Sequence, residues 1–269
     1  MRQPTIALLT DFGLADFFVA SMKGTILSIN PFAKIVDLSH DVRSFDIRVG
    51  GFLLFGCYRF FPAETIFLAV VDPRVGSARR LLLAETERYF FIAPDNGILA
   101  QALENESIKS LRELRNEKFF LTSERTTFEG RDRMAPAAAW LSLGIPLDEF
   151  GPELNDYQKL GFPKPVFGET EAAGVVVFQD KFGNLVTNLP GHLVDIFREK
   201  HASRPVVLVA GKQEISHFRK TYAAAQKGEI FAIAGSIGSL EIALREGDAS
   251  KKLNLKPGDE VRIIVKTKT

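Results

Sequence analysis

The run IALLTDFG (residues 6–13) decides the fold. Five uncharged residues end abruptly at Asp11 and Gly13, the profile of a short strand delivered into a turn. The segments that follow alternate helix and strand signals. Residues 16–29 carry Val19, Met22, Ile26 and Ile29 at helical spacing, with Asp16 placed to cap the helix. KIVDLS (34–39) reads as a second strand, the strongly apolar stretch 45–61 as a second helix, and TIFLAVV (65–71) as a third strand ending at Asp72-Pro73. Strand, helix, strand, helix, strand implies parallel strands joined by crossover helices. Residues 81–85 and 89–93 read as a further strand pair, 96–103 and 131–143 as helices.

The pattern changes near residue 151. Residues 151–167 hold three prolines and two glycines without periodicity and read as a linker. Beyond it, residues 173–178, 185–189, 205–210, 229–234, 238–244 and 260–266 read as short strands at close spacing, which points to a small barrel or sandwich. The expected organisation is an α/β N-terminal domain with a mainly parallel sheet over 1–155, a linker over 156–170, and a smaller C-terminal β-barrel domain over 171–269.

Composition narrows the function classes. The formal net charge of +1 calls for neither nucleic acid nor an anionic membrane. The N-terminus is too short in apolar residues for a signal segment or a membrane span, so the cytoplasm is the default expectation. The single Cys57 lies in an apolar run and reads as an inert buried thiol. His40, His192, His201 and His217 are scattered, and no His/Cys pair has zinc spacing, so no metal is expected.

In an open parallel sheet, ligands bind beyond the carboxyl ends of the strands. The first strand delivers Asp11, the second Ser39, His40 and Asp41, and the third Asp72. A carboxylate in place of a glycine-rich loop repels pyrophosphate and welcomes sugar hydroxyls, so a nucleoside is favoured over a dinucleotide. In the second half, DKFGNLVTN (180–188) reads equally as a hairpin turn and as a ligand loop, and so does GSIGSLE (235–241).

Six segments in order carry a resemblance. TDFGLADFFVASMKG (10–24), VVDPRVGSARR (70–80), APDNGILAQAL (93–103), TTFEGRD (126–132), DKFGNLVTN (180–188) and GSIGSLEIA (235–243) resemble the S-adenosylmethionine hydroxide adenosyltransferase family. The fluorinases and chlorinases share this framework but carry a longer insertion after the third strand; here only a short stretch separates Arg80 from Pro94. The resemblance implies an α/β domain followed by a β-barrel, and a homotrimer with each site between subunits. It also implies conversion of S-adenosylmethionine and water to adenosine and methionine by SN2 displacement, with no cofactor. By the same resemblance Asp11 grips the ribose hydroxyls and Phe45 is an aromatic residue near the ligand. Asp180 holds the methionine amine, Phe182 stacks on adenine, Asn184 hydrogen-bonds adenine and Ser236 meets the methionine carboxylate. The segment of Leu244 and Glu246 supplies backbone contacts to adenine.

The family activates water with an Asp–Arg–His set. Asp72 and Arg79 match the first two, but Glu129 stands where the His belongs, and Arg74 replaces a usual Gly. Three readings stay open. Glu129 is the general base; or it pairs with Arg74 or Arg79, leaving binding intact and chemistry slow; or another nucleophile is used, which a new carboxylate disfavours for anions. With the His replaced, a non-catalytic S-adenosylmethionine- or adenosine-binding protein is the alternative function. Asp95 and Asn96 read as turn formers, Arg131 and Asp132 as a helix-start ion pair, and His40 as a loop-orienting residue.

Overall fold

In the computed structural model, which describes residues 4–202 and 204–267, the chain divides into two compact units, Met1–Gly161 and Phe162–Thr269.

The first unit contains, in order, β1 (Thr5–Thr10), α1 (Phe18–Ile29), β2 (Lys34–Ser39), α2 (Ile47–Cys57), β3 (Ile66–Val70), β4 (Leu81–Thr86), β5 (Phe90–Pro94), α3 (Ala100–Leu103), β6 (Ile108–Glu113) and α4 (Ala135–Ser142). The sheet order is β2-β1-β3-β5-β4-β6. The pairs among β2, β1, β3 and β5 are parallel, while β4 runs antiparallel to both β5 and β6. β1 shows why the run over residues 6–9 is apolar throughout. Ile6 and Leu8 enter the core on one face with Met22, Ile26 and Met134, and Ala7 and Leu9 enter the other with Leu54, Tyr58 and Phe67. Alternating side chains buried on both faces require an unbroken apolar run.

Several boundaries differ from the sequence reading. Asp16 does not cap α1; Phe17 stands at the cap position and gives no side-chain hydrogen bond. The second helix starts later than expected, because Asp46 caps it by accepting the Val49 N–H at 3.1 Å, and Phe45 before it takes φ 69°. The helix expected from 131 opens with a π-helical turn, Gly130–Met134. Pro136 has no N–H to offer the preceding turn, and the Asp132 carbonyl instead accepts from Leu121 N at 2.8 Å. β6 was not expected: IKSLRE is an edge strand with a single buried residue, Leu111, and carries no apolar run. Cys57 is partly buried, and burial pushes its thiol up to about 11.

The second unit contains β7 (Val166–Phe167), β8 (Glu171–Gln179), β9 (Leu185–Pro190), α5 (Leu193–Lys200), β10 (Val206–Ala210), β11 (Gln213–Ile215), β12 (Phe218–Arg219), β13 (Ile230–Ala234), β14 (Ser239–Leu244), α6 (Ala249–Leu253) and β15 (Glu260–Val265). The order β11-β10-β15-β8-β9-β14-β13-β12 makes a nearly closed, barrel-shaped sheet, with β7 added on β8. Val176, Leu185, Leu208, Ile242 and Ile263 fill its interior. α5, a helix between strands that the spacing of short strands does not predict, buries Leu193, Val194 and Phe197 against that core. Among the described residues, no helix is long and apolar enough to cross a membrane.

Candidate active site

The carboxyl ends of β1 and β3 border a cavity of about 400 Å³ in the first unit. Asp11, Phe45, Asp72 and Glu129 all line it, although they come from four separate segments. Phe12, Phe18 and Phe128, which the sequence reading did not single out, form one apolar wall. Their ring centroids lie 5.2–5.6 Å apart, and Phe128 meets the other two edge-on. Asp11 Oδ2 accepts the Phe45 backbone N–H at 2.8 Å, tying the first loop to the segment before α2. A bulky residue at positive φ is strained, and this bond helps to hold it.

Arg79 lies behind the cavity between two buried carboxylates. Its Nε donates to Asp72 Oδ2 at 2.5 Å, and Nη1 donates to Glu129 Oε2. The Gly76 N–H points to the same Glu129 oxygen at 3.3 Å. Glu129 Oε1 takes no hydrogen bond, but Arg133 Nε and Arg125 Nη1 stand 3.6 and 3.8 Å away. Both arginines are four residues from Glu129, one on each side, and the π-helical turn presents Arg133. Of the two partners considered for Glu129, the geometry selects Arg79. Arg74 is exposed, and its backbone N–H donates to Asp72 Oδ1 at 3.2 Å. Arg131 does pair with Asp132, Nε to Oδ1 at 2.6 Å. Burial acts to raise the Asp132 carboxyl, but hydrogen bonds from Arg131 and Thr126 outweigh it and hold it below the usual range.

The second unit has its own cavity, of about 730 Å³, lined by Asp180, Phe182, Asn184, Leu244 and Glu246. Tyr222, Arg245 and Asp248 also line it and were not anticipated. The DKFGN segment is a hairpin turn as well as a cavity wall. Asp180 Oδ1 accepts the N–H of Phe182 and of Asn184 at 2.9 and 2.8 Å, and Oδ2 accepts from Asn184 Nδ2 at 2.8 Å. Gly183 has φ 85°, and a Cβ there would fall 2.3 Å from the Asp248 carboxyl, so only glycine fits. Ser236 is exposed in the turn between β13 and β14, outside the residues that line this cavity.

Residues 6–151 match the SAM hydroxide adenosyltransferase N-terminal domain, and residues 174–262 match the C-terminal domain of the same family. The chain belongs to this family. Among its relatives is an (R)-S-adenosyl-L-methionine hydrolase of Salinispora tropica, 33% identical over 97% of each chain. A protein of the same name from Thermus thermophilus is 33% identical over 96% of this chain and 99% of its own. A fluorinase of an Actinoplanes species is 30% identical over 72% and 73%. An uncharacterized conserved protein from Thermotoga maritima, known from its crystal structure, superposes with a TM-score of 0.88 at 37% identity. It covers 96% of this chain and 99% of its own.

This adenosyltransferase-family chain carries one further buried acid near the barrel cavity. Glu241 Oε2 accepts from the Tyr222 hydroxyl at 3.0 Å. Burial pushes its carboxyl up, the Tyr222 bond opposes this, and the charge of Asp180 adds to the rise. A carboxyl raised on folding favours the folded state below its unfolded pKa. That contribution is lost as pH rises through the folded value. Glu241→Gln, which stays neutral, is therefore expected to raise Tm by about 2 °C at pH 8 and to leave it unchanged near pH 4. Calorimetry at the two pH values checks this; equal shifts at both would contradict it.

Proposed function

We propose that the chain hydrolyses S-adenosyl-L-methionine at C5′, giving adenosine, L-methionine and a proton. The observation that carries this reading is the convergence of Asp11, Phe45, Asp72 and Glu129 on one apolar-walled cavity. A sulfonium is a good leaving group, so no covalent intermediate is needed. The protein has to hold water in line with C5′ and sulfur, and positioning of this kind contributes on the order of 7–11 kcal/mol. Asp11 grips the ribose hydroxyls and Phe45 covers the sugar. Asp72 and Glu129, fixed by Arg79, hold the water. Glu129 lies on the cavity wall with its Oε2 engaged by Arg79.

In the second unit Asp180 takes the methionine ammonium, and Phe182 stacks on adenine. Asn184 and the backbone near Leu244 and Glu246 hydrogen-bond adenine, and Ser236 meets the methionine carboxylate. The two sets act together in a cytoplasmic homotrimer, across subunits. Exposed apolar side chains beside each cavity support that assembly: Leu14, Phe17 and Phe45 are 64–73% exposed in the first unit, and Phe182 is 65% exposed in the second. No cofactor takes part.

Incubation with S-adenosylmethionine in heavy-oxygen water tests the reading. Adenosine and methionine should appear in equal amounts, with the heavy oxygen in the adenosine 5′-hydroxyl, from a species sedimenting at three chain masses. Tight binding of S-adenosylmethionine without any product would replace hydrolysis with sensing.

A further inference from the structure

The polar chain behind Asp11 has no part in the chemistry proposed above. Thr10, the last residue of β1, is fully buried, and His40, just after β2, is 5% exposed. Thr10 Oγ1 and His40 Nδ1 lie 2.9 Å apart, and His40 Nε2 lies 3.0 Å from Asp37 Oδ1. Lys23, on α1, donates to the other Asp37 oxygen at 2.7 Å. Burial acts to raise the Asp37 carboxyl, but hydrogen bonds from Lys23 and His40 outweigh it and hold it low.

The chemistry assigns each proton. The Asp37 carboxylate beside Nε2 favours the tautomer protonated there. Nδ1 is then an acceptor, and the Thr10 hydroxyl donates to it. The Thr10 oxygen in turn accepts the Phe12 N–H at 3.2 Å, and the His40 carbonyl accepts the Gly13 N–H at 2.7 Å. His40 therefore binds the Asp11–Gly13 tip from both sides, by side chain to Thr10 and by backbone to Gly13. A carboxylate that must meet two vicinal hydroxyls needs its backbone fixed to a few tenths of an ångström, and the buried Thr10–His40 pair, flanked by the exposed Asp37 carboxylate, gives that rigidity.

We propose that His40 is a positioning residue for ribose recognition: through Thr10 it sets the orientation of Asp11, and with Asp37 and Lys23 it forms a relay from α1 to the sugar-binding carboxylate. This rests on the reading of Asp11 as the ribose ligand. It reaches further, because it assigns the ribose selectivity of the site to residues that touch no ligand.

Calorimetric binding of adenosine and of 2′,3′-dideoxyadenosine to the full chain tests it. The intact protein should prefer adenosine by about tenfold or more, the value of a lost charge-assisted hydrogen bond. His40→Ala should weaken adenosine about tenfold and leave the dideoxy compound within about twofold, so the preference disappears. His40→Asn, whose amide oxygen can replace Nδ1 as the acceptor for Thr10, should restore most of it. If His40→Ala weakens both ligands alike, or keeps the preference, the positioning role is overturned while Asp11 stands. If the intact protein binds both ligands equally, the Asp11 reading itself falls, and the inference with it. Should His40→Ala not fold, Asp37→Ala, which removes the acceptor beside His40 Nε2 at a side chain that is 40% exposed, takes its place, with a partial loss of the preference expected and an unchanged preference overturning the role.

Discussion

Replacing Arg79 with methionine is expected to abolish turnover and to destabilise the first unit by about 3–5 kcal/mol, the usual cost of breaking a buried ion pair from one side. Arg79 binds Asp72 and Glu129 at once, and all three side chains are at most 3% exposed. Methionine fills a similar volume, so packing loss is small. The large term is electrostatic: two carboxylates remain beside an apolar wall without the guanidinium between them. Against a total stability of about 5–15 kcal/mol, such a loss is visible in any melt. Arg79→Lys should fall between, because an ammonium is a point charge and cannot span both acids in the fork geometry of a guanidinium. A thermal melt and a product assay on the same preparations decide. A methionine variant with an unchanged Tm would show that the two acids do not depend on Arg79.

Glu129→Gln should lower kcat about a hundredfold or more, the low end of what a positioned acid–base group contributes. KM for S-adenosylmethionine should change little. The swap keeps shape and removes charge. It loses the strong pairing with Arg79 and leaves Arg133 and Arg125 facing a neutral amide at 3.6 and 3.8 Å. The adenine and ribose contacts proposed above come from other residues, so adenosine affinity should hold. Glu129→His, which restores the residue type that the family resemblance implies, should retain much more activity than the glutamine variant. Steady-state kinetics of the three proteins give the answer. A glutamine variant within twofold of the parent would remove Glu129 from the reaction and leave Asp72 alone to hold the water.

The sequence by itself determined the parts that depend on local periodicity and on chain order. The unbroken apolar runs of β1 and β3 announced strands buried on both faces, and the alternation with α1 and α2 announced parallel pairing. That Asp11 and Asp72 share one cavity was legible because the strand ends of such a sheet face a common crevice. β6 and α5 were not legible: an edge strand with one buried residue, and an eight-residue helix between strands, carry too little pattern to stand out. What only the tertiary structure decided is who meets whom. The choice of Arg79 over Arg74 as partner of Glu129, the aromatic wall of Phe12, Phe18 and Phe128, and the relay from Lys23 to Thr10 all join residues distant in sequence. Their distances follow from how helices seat on the sheet, which a linear pattern of polarity does not encode.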